Sequence, residues 1–362
     1  MLNSFQPLKA NADLYFINFI LAPTIVHTPM HTNPSAMTPY TSFYGSTQQR
    51  MITTPHARLT KRATPTSITC STAPSPSTQE LTLLTPDPKR FTVAQGQLNN
   101  VATAAAGSVL RLGSGVFAHG YKSQLAKDTS AQDGSYSVLK FAGQMVKESS
   151  AVATLPRPTQ PLIIHEPTTT TTTIAADGKK VREALTILDL DCIFYPPSPS
   201  SSSSSLRLID PNTNDNVEIQ SSGDNVVEYL FKTYGGTDGG AIPFMLRRGW
   251  LNNLTAAWSV GLRSKSKSSS NTSSNSRRSE VKHPLVYWGY EGSPFCVIAH
   301  EAIEDLRLPF LFRPTARGAP KRQELYDRYR HFQVPYVEDP NTGVALFESK
   351  DIVEYLYKTY GI

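Results

Sequence analysis

Apolar and polar positions alternate most clearly in residues 284–362. Leu285-Val286-Tyr287-Trp288 is a short apolar and aromatic run of strand type. Gly292-Ser293-Pro294 then turns the chain into a helix, with Ser at the N-cap and Pro at the first helical position. Cys296, Ala299, His300 and Ile303 follow at helical spacing and predict a helix to about Leu306. Leu308–Phe312 reads as a second strand, and Ala319–Arg330 as a polar helix with Leu325 and Tyr329 on one face. Val334–Val337 and Val344–Phe347 read as two strands joined by a turn through Asp339-Pro340-Asn341-Thr342-Gly343. Ser349 is expected to cap a closing helix, Lys350–Tyr360, with Ile352, Val353, Leu356 and Tyr360 as its apolar stripe.

Part of this pattern occurs earlier in the chain. Asp210-Pro211-Asn212-Thr213 recurs as Asp339-Pro340-Asn341-Thr342. Val226-Val227-Glu228-Tyr229-Leu230, with Lys232-Thr233-Tyr234-Gly235 after it, recurs as Ile352-Val353-Glu354-Tyr355-Leu356 with Lys358-Thr359-Tyr360-Gly361. Arg182-Glu183-Ala184-Leu185 lines up with His300-Glu301-Ala302-Ile303. Two copies of one module, 161–236 and 284–362, account for all three correspondences. Each is expected to be α/β with the thioredoxin-like order βαβαββα.

Upstream, Val101–Leu112 has the Ala and Leu content of a helix that Gly113-Ser114-Gly115 would stop, and residues 80–160 otherwise show no firm period. A Thr run at 168–173, a Ser run at 200–205 and a Ser/Lys/Asn stretch at 264–279 read as loops or linkers, too polar to offset their ordering entropy. Val101–Phe117 and Ile242–Leu262 are the most apolar long segments. Arg111 interrupts the first, and Arg247, Arg248 and two Asn the second, so both read as interfacial or core helices rather than membrane spans. Trp250 and Trp258 are expected to dock Ile242–Leu262, within the inter-module residues 237–283, between the modules as their interface.

Composition changes the picture at the N-terminus. Residues 1–79 hold 22 Ser or Thr, five Lys or Arg and one acid, Asp13, which is the composition of an organelle transit peptide or a disordered tail. The plastid is the first expected destination and the mitochondrion the second. The net charge of +6 comes with no aromatic-plus-basic motif, so nucleic acid is not an expected partner. Cys70, Cys192 and Cys296 are too few for a disulfide framework, no metal-ligand spacing is present, and the reading is a reducing compartment.

The motifs Glu291-Gly292-Ser293-Pro294-Phe295-Cys296, Gln333-Val334-Pro335-Tyr336 and Phe347-Glu348-Ser349 resemble those of glutathione-transferase N-terminal domains and glutaredoxins. Residues 81–362 are similar to plant and algal plastid proteins with two such domains in tandem. The resemblance implies a glutathione site of three elements. Ser293, where glutaredoxins have their nucleophilic Cys, would donate a hydrogen bond to the glutathione thiolate, and Cys296 stands where the resolving Cys would be. Val334 would pair with the cysteinyl part of glutathione beside a cis Val334-Pro335 bond. Glu348 and Ser349, at a helix N-terminus, would hold the γ-glutamyl end. The same residues also satisfy a simpler reading, in which Ser293 and Ser349 are only caps and Cys296 is a small buried hydrophobe.

The first copy departs from the family pattern at all three elements. Ala175-Ala176-Asp177-Gly178 aligns with Ser293–Cys296, Leu206 falls at Pro335, and Gln220-Ser221 is the nearest match to Glu348-Ser349. This copy is therefore expected to be degenerate, with Cys192 buried in a strand. Arg313, Arg317, Lys321 and Arg322 read mainly as a solvated basic loop, and His300 as a partly buried helix histidine. The function classes left open are a glutathione transferase or thiol oxidoreductase and a non-catalytic thioredoxin-fold protein that binds glutathione, a protein partner or a second copy.

Overall fold

The computed structural model describes residues 81–84, 93–167, 171–197, 203, 205–213, 217–236, 241–267 and 281–361, the side chains of 264–267 excepted. The targeting reading of residues 1–79, Cys70, and most of the Ser and Ser/Lys/Asn tracts lie outside them. Elements in chain order begin with β1 (Thr82–Leu83), α1 (Leu98–Leu110), β2 (Lys122–Lys127), α2 (Ser130–Asp133), β3 (Lys140–Phe141) and β4 (Gln144–Ser149). There follow β5 (Leu162–His165), α3 (Thr172–Leu188), β6 (Cys192–Tyr195), β7 (Leu206–Asp210), β8 (Val217–Ser221), α4 (Gly223–Tyr234) and α5 (Trp250–Lys267). The chain closes with β9 (Leu285–Gly289), α6 (Pro294–Asp305), β10 (Phe310–Pro314), α7 (Lys321–Tyr329), β11 (Tyr336–Asp339), β12 (Val344–Phe347) and α8 (Ser349–Tyr360).

Nine strands form one sheet in the order β1-β12-β11-β9-β10-β6-β5-β7-β8. β9 pairs with β10 in parallel and with β11 antiparallel, and β5 treats β6 and β7 the same way. The halves meet where β10 runs antiparallel to β6, with Leu311 opposite Ile193 and Phe310 and Phe312 opposite Phe194 and Cys192. Phe194 and Phe310 stack across the seam at 5.0 Å. Each sheet edge covered in this way removes a template for strand addition. One apolar core runs through both halves on the side of α3, α4, α6 and α8, while Trp288, Leu325, Phe332, Tyr336 and Phe347 form a second core beneath α7.

The recurring sequences make the same hydrogen bonds in both halves. Asp339 accepts from Tyr355 and Tyr360 at 2.6 Å each, and the Asn341 amide binds the backbone at Lys282 and His283. Asp210 accepts from Tyr229 and Tyr234, and the Asn212 amide binds the backbone at Thr159 and Gln160. The buried acid thus ties the end of a strand to its closing helix while Asn fastens the chain entering the module.

A further recurrence lies in the helices. Asn100, Thr103, Ala104, Ala105, Leu110 and Arg111 match Asn252, Thr255, Ala256, Ala257, Leu262 and Arg263 in type and spacing. α1 packs on α5 and α6, and α5 packs on α1 and α3. The two helices come together at Gly107, where a Cβ would stand in ordinary contact, 3.5 Å from the Ser259 backbone. Arg111 grips the Glu183 carboxylate with two hydrogen bonds and reaches Asn252 and Thr255. Arg263 grips Glu301 in the same way and reaches Asn100 and Thr103. The segments expected to be interfacial or core helices therefore pack on each other end to start, with α6 against the first and α3 against the second.

Several expectations are corrected. Trp250 and Trp258 do not dock the segment: they face outward at 78% and 59% exposure, and Asn252, Ala256, Ser259 and Arg263 face inward instead. Among the described residues the first half runs β5, α3, β6, β7, β8 and α4; residues 198–202 and 204, between β6 and β7, lie outside them. Thr171, in the expected Thr loop, caps α3 by accepting from the Ile174 amide, and residues 264–267 of the expected linker are the last turn of α5. Residues 93–160, without firm period, build α1 and a small antiparallel sheet, β2-β4-β3.

Candidate functional site

Strand register brings the three expected elements to one end of the sheet. Tyr336 lies opposite Trp288 on β9 and opposite Phe347 on β12. The residue before it, Pro335, therefore stands between the C-terminal end of β9, which leads to Ser293, and that of β12, which leads to Glu348-Ser349. The Val334-Pro335 peptide is cis. Gln333 donates to the Glu348 carboxylate at 2.9 Å, linking the proline loop to the start of α8.

Ser293 is the N-cap of α6, and its hydroxyl oxygen accepts from the Cys296 amide at 3.4 Å. That bond uses a lone pair of the hydroxyl oxygen, and beyond the helix end the helix dipole favours an anion. Cys296 is 1% exposed, beneath the turn. Burial pushes its thiol up to about 11, only partly countered by the Ser293 hydroxyl. At neutral pH it is therefore a protonated, covered thiol packed beneath the turn. Cys192 is buried as well, with its thiol raised by the same cause.

The start of α8 also differs from expectation. Glu348, not Ser349, is the N-cap, and it makes no side-chain capping bond. Its φ of +69° is uncommon for a residue with a Cβ. Ser349 is the first helical residue. In the first half the matching positions are Ser222-Gly223 rather than Gln220-Ser221, and Ser222 has an ordinary φ of −66°.

The turn carrying Ser293 is held from the other half of the molecule. Glu291, two residues before it, pairs with Arg182 at 2.8 Å and Lys179 at 3.2 Å, both on α3. Burial raises the Glu291 carboxyl, but the charges of Arg182 and Lys179 outweigh it and bring the group to about 2. Gly292 is required by close approach, because a Cβ would lie 2.9 Å from the Val116 backbone. The motif showed Glu291, but only the fold brings Arg182 and Lys179 to it, more than 100 residues away in sequence.

The expected basic loop is corrected too. Arg317 pairs with Glu148 at 2.6 Å, Lys321 with Asp189 and Asp191 at 2.9 and 2.8 Å, and Arg313 with Glu324 at 3.0 Å. Arg322 donates to the carbonyls of Thr315 and Ala316 and lies over the Phe332 ring. Arg317, Lys321 and Arg322 are buried and committed to structure rather than solvated. His300 is buried as expected, and burial lowers its pKa.

A cavity of 540 Å³ separates α3 from α6, lined by Glu166, Lys179, Arg182, Glu291, His300 and Glu304 among others. It contains none of Ser293, Cys296, Val334, Pro335, Glu348 and Ser349. Among the described residues no cluster of His, Cys, Asp or Glu could hold a metal ion.

Residues 288–361 match the family model for the glutathione S-transferase N-terminal domain, a span that begins in β9 and ends after α8. These residues are a glutathione S-transferase N-terminal domain. The glutathione S-transferase-like protein gedE of Aspergillus terreus is 35% identical over 77 residues, which are 21% of this chain and 34% of that protein. The chain thus spans about a third of the length of this relative. No solved structure gives a significant match. Of the residues expected to act, the transferase domain gathers Ser293, Val334, Pro335, Glu348 and Ser349 at one end and sets Cys296 behind them.

Proposed function

We propose that the transferase domain binds glutathione at the end of the sheet formed by Ser293, Val334-Pro335 and Glu348-Ser349. The single observation that carries this reading is the register of β9, β11 and β12, which sets those elements side by side around the cis peptide. Ser293 donates its hydroxyl proton to the glutathione sulfur and favours the thiolate. Backbone amides at the start of α8 meet the γ-glutamyl carboxylate, and Glu348 meets its ammonium. In this reading the protein is of the transferase type, activating glutathione for attack on an electrophile. Thiol-disulfide exchange is disfavoured because the resolving position, Cys296, is covered and protonated.

The shared strand pairing, Asp and Asn networks and helix-borne Arg–Glu pairs support one module present twice, with the first copy a structural partner. That copy has Ala175, Leu206 and Ser222 at the matching positions, with the capping hydroxyl of Thr171 one turn earlier, yet its Arg182 and Lys179 hold Glu291. A plastid location remains our reading of residues 1–79. The test is turnover by the full chain with glutathione and either an aryl chloride or a small disulfide. Conjugation lost in Ser293→Ala and kept in Cys296→Ser supports the transferase reading. Disulfide reduction that depends on Cys296 overturns it, and glutathione binding without either activity favours a non-catalytic binding protein.

A further inference from the structure

The outer face of the α1–α5 pair belongs to no part of the proposed glutathione site. Among the described residues 14 large hydrophobic side chains are exposed, and nine of them lie on this pair or directly beside it. Leu98, Val109 and Leu112 come from the first helix and its end; Trp250, Leu251, Leu254, Trp258 and Leu262 come from the second, with Phe244 just before it. Trp250, Leu254, Trp258 and Leu262 follow at four-residue intervals and so form one stripe along α5. The opposite stripe, Asn252, Ala256, Ser259 and Arg263, is buried. The pair is thus apolar outward and polar inward, the reverse of an ordinary surface helix.

Charge says what such a face meets. Residues 93–127 and 241–267 together carry eight Lys or Arg and no Asp or Glu, in a chain that has 29 acidic residues. Of these, Arg111 and Arg263 are spent on Glu183 and Glu301 and Arg248 pairs with the exposed Glu228 at 3.4 Å, while Arg247 is exposed at the foot of α5. A Trp- and Leu-rich face on segments that carry Lys and Arg but no Asp or Glu is complementary to an anionic lipid surface: the rings enter the headgroup boundary and the cations meet phosphate. Among the described residues no helix is long and apolar enough to cross a membrane, so the contact is one of lying on the surface. We infer that the outer face of α1 and α5 is a docking surface for an anionic lipid bilayer, with Trp250 and Trp258 as its anchors.

The chain has three Trp, and the third, Trp288, is fully buried. Tryptophan emission therefore reports this face against a constant background. The experiment uses the full chain with vesicles of a zwitterionic lipid containing one-fifth phosphatidylserine, and with wholly zwitterionic vesicles. The expected result is co-sedimentation and a blue shift with anionic vesicles, binding about tenfold weaker to zwitterionic ones, and quenching by brominated acyl chains. Trp250→Glu/Trp258→Glu should lower binding at least tenfold while the far-ultraviolet circular dichroism and urea midpoint stay unchanged. Binding that persists in this variant, or its absence from wild type, overturns the inference. Self-association that buries both Trp without lipid overturns it too, assigning the face to a second copy. A variant that fails to fold is replaced by Trp258→Phe with the brominated-lipid readout, in which loss of about half the quenching is the result required.

Discussion

Glu291→Gln tests whether the first half of the molecule holds the Ser293 turn. In wild type the carboxylate is buried between Arg182 and Lys179, at 2.8 and 3.2 Å. Its acid group stands at about 2, against an ordinary 4.5. Such a depression favours the charged form by about 3 kcal/mol, at 1.36 kcal/mol per pH unit. The amide keeps an oxygen for Arg182, and Arg182 and Lys179 keep Glu304 and Glu183 as second partners. The net loss at pH 7 is therefore expected to be about 2–3 kcal/mol, below the ~3–5 kcal/mol for breaking an isolated buried pair. The sign of the pH effect follows from the lowered acid. Stability from this group is fully present above the unfolded value near 4.5 and is lost as pH falls through the folded value near 2. Urea unfolding followed by circular dichroism at pH 7, 4.5 and 3 reads both quantities. Wild type should lose its advantage over the variant between pH 4.5 and 2. A variant within 0.5 kcal/mol of wild type at pH 7, or one with the wild-type acid slope, refutes the ion-pair account.

Glu166→Gln should act in the opposite direction. Burial and then the Glu304 carboxylate hold the Glu166 acid up at about 8, against the pull of Arg182. Its contribution is present below pH 4.5 and fades as pH rises to 8, so the variant should gain on wild type in urea unfolding between those values. Asp339→Ala leaves the buried Tyr360 hydroxyl and its neighbour Tyr355 without their acceptor and should cost about 2–4 kcal/mol. Asp210→Ala should match it within about 1 kcal/mol, because its network is the same. Arg111→Met strands the buried Glu183 with Lys179 alone, at 3.8 Å, and should cost about 3–5 kcal/mol by urea midpoint. Cys192 and Cys296 should resist iodoacetamide at pH 8 in the native protein and label fully in urea, as read by peptide mass mapping.

The second half was legible in sequence because local signals there agree with the fold. Ser293-Pro294 starts a helix by cap and fixed φ, and Asp339–Gly343 turns the chain between two strands. The strand at Phe310–Pro314 begins two residues later than expected, since a continuous apolar run gives no period from which to place its end. Positions 222–223 answer to 348–349 through the Val226/Ile352 correspondence, which the closer residue-type match at Gln220-Ser221 obscures. The α1/α5 recurrence is present in sequence, but it is short, and only the reciprocal grip of Arg111 and Arg263 gives it meaning. Arg317, Lys321 and Arg322 read as solvated cations because sequence shows a charge but not the distant group that satisfies it. Trp250 and Trp258 looked like interface residues because aromatic rings are usually buried; here the polar side of α5 packs inward to serve Arg111 and Arg263.

Glutathione binding at the Ser293 end of the sheet is tested most directly by calorimetric titration of the full chain with glutathione. One saturable site is predicted, weakened at least tenfold by Glu348→Ala and unchanged by Glu166→Gln, which lies in the separate cavity. Absence of saturable heat, or binding that is indifferent to Glu348→Ala and lost in Glu166→Gln, would contradict the account.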